Sequence, residues 1–403
     1  MMSTSVSLFQ TRTFQRVVLG IQVVMGGWLG WSGATWASHA SRKLAYFGGS
    51  GGMRWLPGLL VGLAIFLAIL VHEAGHWLGS RQAGLRCFAV SVLWLHLERR
   101  GDRWHFRVGQ RRAGSLGHVL ALPFEFHDLS RRMAVFIAAG PAASVLAGGL
   151  ALVLGYGLRA RFALEAGASA GAYAAVEGLL VFGAVSTWLG IINLLPYTTR
   201  QGTVTDGQHL LRLRQTGPEA DRQQVLLRVL SASYQGVRPR DWEAALVAQL
   251  CATPEESAHY GSANLYAYAH YLDATAIVLA RTHLARAYQA RQAAGPGLER
   301  HICCEQAYMA LVHDERPDEV PNWLAAAGRI KKFTKEEPFS QAMASCSAGY
   351  WEQARRQLQR ARQELEKSSS RGGCEQGHDR IQALLAVVEQ GLNATRPLPA
   401  KVG

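Results

Sequence analysis

Four apolar stretches in the first half of the chain are long enough, or nearly so, to cross a membrane. They cover residues 17–37, 56–78, 133–158 and 174–196. A hydrocarbon core of about 30 Å needs about 20 apolar residues of helix. We therefore predict an all-α polytopic membrane protein with about four transmembrane helices in residues 1–213. Residues 214–403 lack such stretches, and they predict a soluble α-helical domain.

The first stretch has two interpretations. It follows two arginines and ends in small residues, which is typical of a cleaved signal peptide. Trp28, Trp31 and Trp36 favour a retained span, because tryptophan is enriched at membrane interfaces. Both interpretations bring the second stretch into the membrane from the same, non-cytoplasmic side.

The distribution of arginine predicts the orientation. Between the second and third stretches lie Arg81, Arg86, Arg99, Arg100, Arg103, Arg107, Arg111, Arg112, Arg131 and Arg132. Only Arg159 and Arg161 lie between the third and fourth stretches. Cytoplasmic loops carry an excess of positive charge, so we expect the arginine-rich loop and both termini in the cytoplasm. Arg42, Lys43 and Arg54 oppose this orientation but are outnumbered.

The net charge of +13 does not by itself indicate a nucleic-acid partner. Much of the excess is arginine beside apolar segments, where it reports membrane orientation, and we expect no nucleic acid to bind. The cysteines are Cys87, Cys251, Cys303, Cys304, Cys346 and Cys374. None of their spacings is typical of a zinc ribbon, and reduced thiols are expected.

The second stretch contains His72-Glu73-Ala74-Gly75-His76, an uninterrupted His-Glu-x-x-His sequence. Residues four apart share one face of a helix, so both imidazoles can bind one tetrahedral Zn²⁺. Glu73 falls beside them, where it can act on water at the metal. Three ionisable groups within one span are costly unless they pair or bind something, which indicates a function.

A catalytic zinc needs a third protein ligand and one open position. Asp206 lies just past the end of the fourth stretch, on the side of the membrane expected for His72 and His76. His118, His127, Asp128 and His209 are alternative third ligands. His209 is three residues beyond Asp206, where a hydrogen bond to a ligand is as reasonable as exposure to solvent.

These motifs resemble the site-2 protease family of intramembrane metalloproteases over residues 56–213. Besides His-Glu-x-x-His, the resemblance rests on Gly140-Pro141 with small neighbours, on Asn193-x-x-Pro196 and on Asp206-Gly207. It implies one zinc per chain on His72, His76 and Asp206, with Glu73 as general base. It also implies that Asn193 contacts the substrate or the developing oxyanion.

The resemblance further implies cleavage of transmembrane or membrane-associated proteins near the cytoplasmic face, in regulated intramembrane proteolysis. A bacterial inner membrane is expected on the same ground. One departure concerns the interval from Asn193 to Asp206, which spans thirteen positions where many family members have fewer. Residues 197–204 therefore look like an insertion, which puts the ligand role of Asp206 in doubt.

Alternating residues predict a small cytoplasmic β-hairpin between the second and third stretches. Its strands cover residues 87–98 and 104–108, around a turn at residues 99–102. Its exposed edge has two interpretations. It holds an extended substrate by β-addition, as the resemblance favours, or it only caps the cytoplasmic surface.

Helical patterns dominate the second half, at residues 264–292, 301–314, 321–332 and 337–367. Residues 340–365 resemble a tetratricopeptide helix pair, and a generic helical bundle explains the pattern nearly as well. If the repeats are present, this domain binds a protein or peptide partner.

Two rival functions remain open at the level of sequence. A prenyl-protein protease is a membrane zinc hydrolase, but such enzymes resemble a different arrangement with a glutamate as third ligand. A membrane scaffold or sensor would combine a non-catalytic metal site with a partner-binding helical domain. Glu73 argues against the scaffold, because a structural zinc needs no base.

Overall fold

The computed structural model describes residues 20, 56–100, 103–109, 116–164, 170–198, 204–292, 295–330, 337–366 and 370–395. The chain divides into two compact units. One comprises Met1–Arg99 and Trp104–Gln215, and the other comprises Arg100–Arg103 and Thr216–Gly403. We call them the membrane unit and the helical unit.

Three long helices form the frame of the membrane unit: α1 (Leu56–Gln82), α2 (Leu129–Leu164) and α3 (Ala170–Leu194). All three are long and apolar enough to span a membrane, which confirms the second, third and fourth predicted stretches. The first predicted stretch, residues 17–37, lies outside the described residues.

The surfaces of these helices fit a lipid environment. On α2, Leu146 is 73% exposed and Val153 is 72% exposed. Large apolar side chains facing outward on a long helix cost nothing in a hydrocarbon phase. Inside the bundle, the buried hydroxyl of Ser186 on α3 donates to the carbonyl of Ser144 on α2 over 3.0 Å. Such interhelical hydrogen bonds satisfy polar groups that lipid cannot.

Between α1 and α2 the chain forms a four-stranded sheet. Its strands are β1 (Arg86–Val92), β2 (Leu95–Arg100), β3 (Arg103–Val108) and β4 (Gly117–Leu122), in the order β3-β2-β1-β4. β1 pairs antiparallel with β2 on one side and with β4 on the other.

The predicted hairpin is therefore too small. Residues 87–98 form two strands rather than one, because the backbone turns at Leu93, whose φ of 54° is incompatible with an extended strand. β4 was not predicted at all. It lies at the edge of the sheet, opposite β3, and pairs Val119 with Val90.

Arg132, near the start of α2, joins the ends of the first helix and the sheet. Its guanidinium donates to the carbonyls of Ala83 and Gly84 over 2.7 Å each, and to that of Glu125 over 2.6 Å. Gly84 has a φ of 65°, the left-handed conformation that ends many helices. Because its guanidinium serves three backbone acceptors, Arg132 fixes how α1 leads into β1.

The membrane unit ends with a short helix, α4 (Asp206–Arg212). The described residues of the helical unit form α5 (Pro218–Gln235), α6 (Ala244–Cys251), α7 (Tyr260–Asp273), α8 (Ile277–Gln289), α9 (Pro296–Val312), α10 (Val320–Gly328), α11 (Pro338–Ser347), α12 (Trp351–Leu365) and α13 (Arg371–Thr395).

The helix predicted over residues 264–292 is two helices, α7 and α8. Thr275 lies between them with a φ of 59°, a left-handed conformation that stops a helix but leaves no signature at a threonine. The predicted pair within residues 340–365 is present as α11 and α12, with Gly349 at a φ of 76° between them.

A buried ion pair lies inside the helical unit. Arg380 donates to both carboxylate oxygens of Glu305, over 3.0 and 2.7 Å, and the hydroxyl of Tyr268 donates to the same carboxylate over 2.7 Å. Burial would by itself raise the pKa of Glu305, but the charges of Arg380 and His301 and the hydrogen bonds from Tyr268 and Arg380 together outweigh it and lower that pKa. Glu305 is 3% exposed, so its charge depends on these partners.

We expect Glu305→Met to lower the stability of the helical unit by about 3 kcal/mol or more, because it leaves Arg380 charged without its partner. For a unit of this size that corresponds to a fall of roughly 6–12 °C in the thermal midpoint. Near-ultraviolet circular dichroism of the full chain in detergent measures it. The control is Glu352→Met on the exposed side of α12. Equal midpoints for the two variants would contradict the role of the pair.

Candidate metal centre

The centre begins with three residues on one turn of α1. His72 and Glu73 are each 5% exposed and His76 is 7% exposed. The four-residue spacing places both imidazoles on the same helix face, with their Nε2 atoms 3.2 Å apart. The geometry expected from His-Glu-x-x-His is therefore present.

Asp206, the first residue of α4, faces the two histidines. Its Oδ2 lies 3.2 Å from Nε2 of His72 and 3.5 Å from Nε2 of His76. Burial would by itself raise the pKa of Asp206, but the facing imidazoles outweigh that effect and lower it to about 2. The side chain is therefore an ionised carboxylate at neutral pH, which is the form that binds a metal.

Thr205 positions Asp206 at the start of α4. Its hydroxyl donates to the carbonyl of Leu195 over 2.7 Å and accepts from the backbone nitrogens of Tyr197 and Gln208 over 3.2 and 3.4 Å. The following Gly207 packs against the carbonyl of Leu194, where a Cβ would clash. Leu195 and Tyr197 are therefore held next to Thr205, and the longer interval does not displace Asp206.

The three atoms form a triangle with sides of 3.2, 3.2 and 3.5 Å. A tetrahedral metal with bonds of about 2.0–2.1 Å to nitrogen and oxygen separates neighbouring ligand atoms by about 3.3 Å. The triangle thus has the dimensions of one face of such a site. Among the described residues, His72, His76 and Asp206 are the group that could hold a metal ion.

Hydrogen bonds on the far side of each ring orient the histidines. Nδ1 of His76 lies 3.0 Å from the carbonyl of Phe136, and Nδ1 of His72 lies 3.0 Å from the hydroxyl of Ser144. A carbonyl only accepts, so Nδ1 of His76 carries a proton, and in the neutral ring Nε2 then presents a lone pair. This is the tautomer that a metal-bound histidine needs. The donor set therefore fits a divalent metal.

Glu73 has a different environment from the three candidate metal ligands, His72, His76 and Asp206. Its Oε2 is buried without a hydrogen-bond partner among the described residues. It lies against the first residue of β4, because a Cβ on Gly117 would collide with the Glu73 carboxylate. An unpaired buried carboxylate oxygen is costly, and such groups are typical of functional sites.

The cluster opens into a cavity of about 800 Å³ within the membrane unit. Its wall includes the three candidate metal ligands, His72, His76 and Asp206, together with Glu73. Residues 116–119 at the start of β4, the C-terminal end of α3 and the N-terminal end of α4 complete the wall. Asn193 also lines it, with its amide donating to the carbonyl of Leu189 over 3.1 Å. The structure therefore brings Asn193 to the same cavity, but hydrogen-bonded to its own helix.

The other candidate ligands lie outside the triangle. His118 and His209 line the cavity without joining the group. Burial and the charge of Arg212 lower the pKa of His209, so it is neutral at pH 7. His127 faces Glu125 over 3.7 Å at an exposed position. Asp128 accepts the backbone hydrogen bond that starts α2.

Sequence reasoning missed several supporting residues. Thr205 and Gln208 form the Thr-x-x-Gln pattern of a capping box, which could have indicated a helix starting at Asp206. Ser144 carried only the signal of a polar residue within an apolar stretch. The carbonyl of Phe136 carried none, because every residue has one.

Comparison with known proteins gives no match among family models, curated proteins or solved structures. The functional assignment is therefore argued from the geometry of this centre.

We expect Gly140→Ala to reduce metal binding strongly, because the added Cβ would collide with the imidazole of His76. The matched control on the same helix is Gly149→Ala, whose added Cβ meets no atom within 4 Å. Elemental analysis of both purified variants after metal loading measures the difference. Equal metal content would contradict the close packing of α2 on His76.

Proposed function

We propose that the chain is an intramembrane zinc metalloprotease of the site-2 protease type, which cleaves transmembrane or membrane-associated proteins near the cytoplasmic face. The observation that carries the proposal is Glu73. A buried carboxylate with an unpaired oxygen lies next to a three-ligand group that leaves one tetrahedral position open. A purely structural metal site would need neither feature.

Two imidazoles and one carboxylate with an open position form a ligand set typical of catalytic zinc. Such a metal, when bound, supplies a Lewis acid that acidifies water and polarises a carbonyl. His72 and His76 would serve as neutral ligands to such a metal, and Asp206 would supply the one negative charge. Ser144 and the Phe136 carbonyl hold the two rings in the orientation that this role requires.

Glu73 moves the proton in this proposal. Its free Oε2 accepts a proton from the water that attacks the substrate carbonyl, and it then donates that proton to the amine that leaves. The cavity gives both water and peptide a place beside Glu73. Because no donor among the described residues holds Oε2, its lone pairs are free to accept that proton.

Asn193 is proposed to contact the substrate. Its amide lies in the cavity wall, and its present bond to the Leu189 carbonyl leaves the second amide hydrogen for another acceptor. A peptide carbonyl in the cavity would offer that acceptor, and donors aimed at a developing oxyanion stabilise it.

The sheet supports an extended substrate. A peptide has to unfold locally before its amide can reach a buried centre, and an edge strand can pair with it. β4 is an edge strand, and its first residues line the cavity. We therefore place β-addition at β4, rather than at the hairpin that the sequence indicated.

The wider setting extends the same proposal. The arginine-rich segment between α1 and α2 favours a cytoplasmic location for the sheet and the centre. We propose that the protein lies in a bacterial inner membrane and acts in regulated intramembrane proteolysis. The consecutive helix pairs α7–α8, α9–α10 and α11–α12 support a tetratricopeptide-like platform for a protein or peptide partner.

The test is a search for new N-termini in proteoliposomes that contain cell-membrane proteins together with the purified chain. We expect the parent to produce cuts at the ends of apolar segments, and Glu73→Gln to produce essentially none, because loss of a general base costs about 100-fold or more in rate. Glu125→Gln, at an exposed carboxylate of the same unit, is the control and should cleave like the parent.

A scaffold or sensor is the alternative function. It predicts bound metal and an identical set of N-termini for the parent and Glu73→Gln. That outcome, obtained with metal-loaded protein, would overturn the protease proposal.

A further inference from the structure

Three successive helices of the helical unit bring a thiol, an imidazole and an amide into a row. Cys251 ends α6, Asn264 lies in α7 and His283 lies in α8. Sγ of Cys251 is 3.6 Å from Nε2 of His283, and Nδ1 of His283 is 2.8 Å from Oδ1 of Asn264. This is the arrangement of a nucleophile, a base and the group that orients the base.

The direction of each hydrogen bond follows from Asn264. Its Nδ2 donates to the carbonyl of Tyr260 over 2.9 Å, so its Oδ1 faces His283. An amide oxygen only accepts, and His283 therefore carries its proton on Nδ1. Nε2 is left with a lone pair directed at the thiol of Cys251, and it can accept the thiol proton.

The surroundings keep His283 fixed and neutral. The ring of Tyr271 stacks on the imidazole with 12° between the planes and 5.2 Å between the centroids. Burial and the charge of Arg286 lower the pKa of His283, which keeps the ring available as a base. His283 is 4% exposed, whereas Cys251 is only partly buried. A small reagent can thus reach the sulfur more easily than the base.

The other thiols have contrasting surroundings. Burial raises the pKa of Cys87 to about 11 and that of Cys346 to about 12. The thiol of Cys87 donates to the carbonyl of Ala89, and Cys304 accepts from the hydroxyl of Ser340. Neither the Ala89 carbonyl nor the Ser340 hydroxyl is a base that takes up a thiol proton at neutral pH. Cys251 differs from them in facing a base.

We propose that Cys251 is a redox-modification site, which hydroperoxides oxidise to a sulfenic acid with His283 as the base and Asn264 as a positioning residue. Sγ and Nε2 share the thiol proton, and the thiolate attacks one peroxide oxygen. An S–O bond forms as the O–O bond breaks, and the leaving oxygen takes up the thiol proton from His283. Sulfur loses two electrons and the peroxide gains them.

A hydroperoxide fits this site because it is small and because its reaction needs an accessible sulfur and a proton donor. It requires a partly accessible sulfur and a proton for its leaving oxygen, and both are present at Cys251. The hydroxyl of Tyr271, 3.7 Å from Sγ, adds a polar group beside the product oxygen. None of these residues belongs to the metal centre, so the proposal is independent of the proteolytic function.

The test uses the full chain in detergent, treated with hydrogen peroxide and a dione probe that traps sulfenic acids, with labelled peptides quantified by mass spectrometry. We expect Cys251 to be labelled at least about tenfold faster than Cys87 and Cys346. His283→Gln should slow it by about tenfold or more, since the base is lost. His301→Gln, at a 55% exposed histidine of the same unit, is the control and should leave the rate unchanged.

The pH profile separates a base from a merely structural residue. The parent rate should level off near neutral pH, whereas the rate of His283→Gln should keep rising towards the range of an ordinary thiol. If His283→Gln fails to fold, the labelling rates of Cys251, Cys87 and Cys346 in the parent protein test the proposal. Labelling of Cys251 no faster than that of Cys87 or Cys346, or a profile unchanged in His283→Gln, would overturn the proposal.

Discussion

The close approach of two imidazoles and one carboxylate is the interaction on which the proposed metal centre of the membrane unit depends. The lone pair on Nε2 of His76 faces both Nε2 of His72 and the ionised carboxylate of Asp206 at 3.2 to 3.5 Å. Acceptors at such distances repel each other unless a proton or a cation lies between them. The carbonyl of Phe136 fixes the His76 proton on the far side of the ring. One metal ion bound to all three atoms would satisfy them at once.

Much of the surrounding structure is arranged around that requirement. Helix α2 approaches His76 through Gly140, where a larger residue would displace the imidazole. Ser144, one turn further along α2, contacts His72. A hydrogen bond from Thr205 to the carbonyl of Leu195 holds the start of α4 where Asp206 contacts His72. The small residues of the bundle therefore serve both helix packing and the geometry of the centre.

Sequence reasoning succeeded where a periodic rule fixes geometry and failed where the backbone departs from regular structure. The spacing of His72 and His76 predicts a shared helix face, and apolar length predicts the three described spans. The turn at Leu93 and the break at Thr275 need positive φ values, which neither residue type predicts. β4 is short and begins in glycine, so its alternation was too brief to recognise. The approach of Asp206 depends on hydrogen bonds between Thr205 and residues 195 and 197, which are contacts between residues distant in sequence.

The most direct measurement is the metal content of the purified, metal-replete protein, compared among the parent, His72→Ala, Asp206→Ala and Glu73→Gln. The account predicts about one zinc per chain in the parent and in Glu73→Gln, and loss of the metal from the two ligand variants. That result would define the ligands and leave Glu73 free to act as a base. A parent without metal, or an Asp206→Ala variant that retains it fully, would contradict the account.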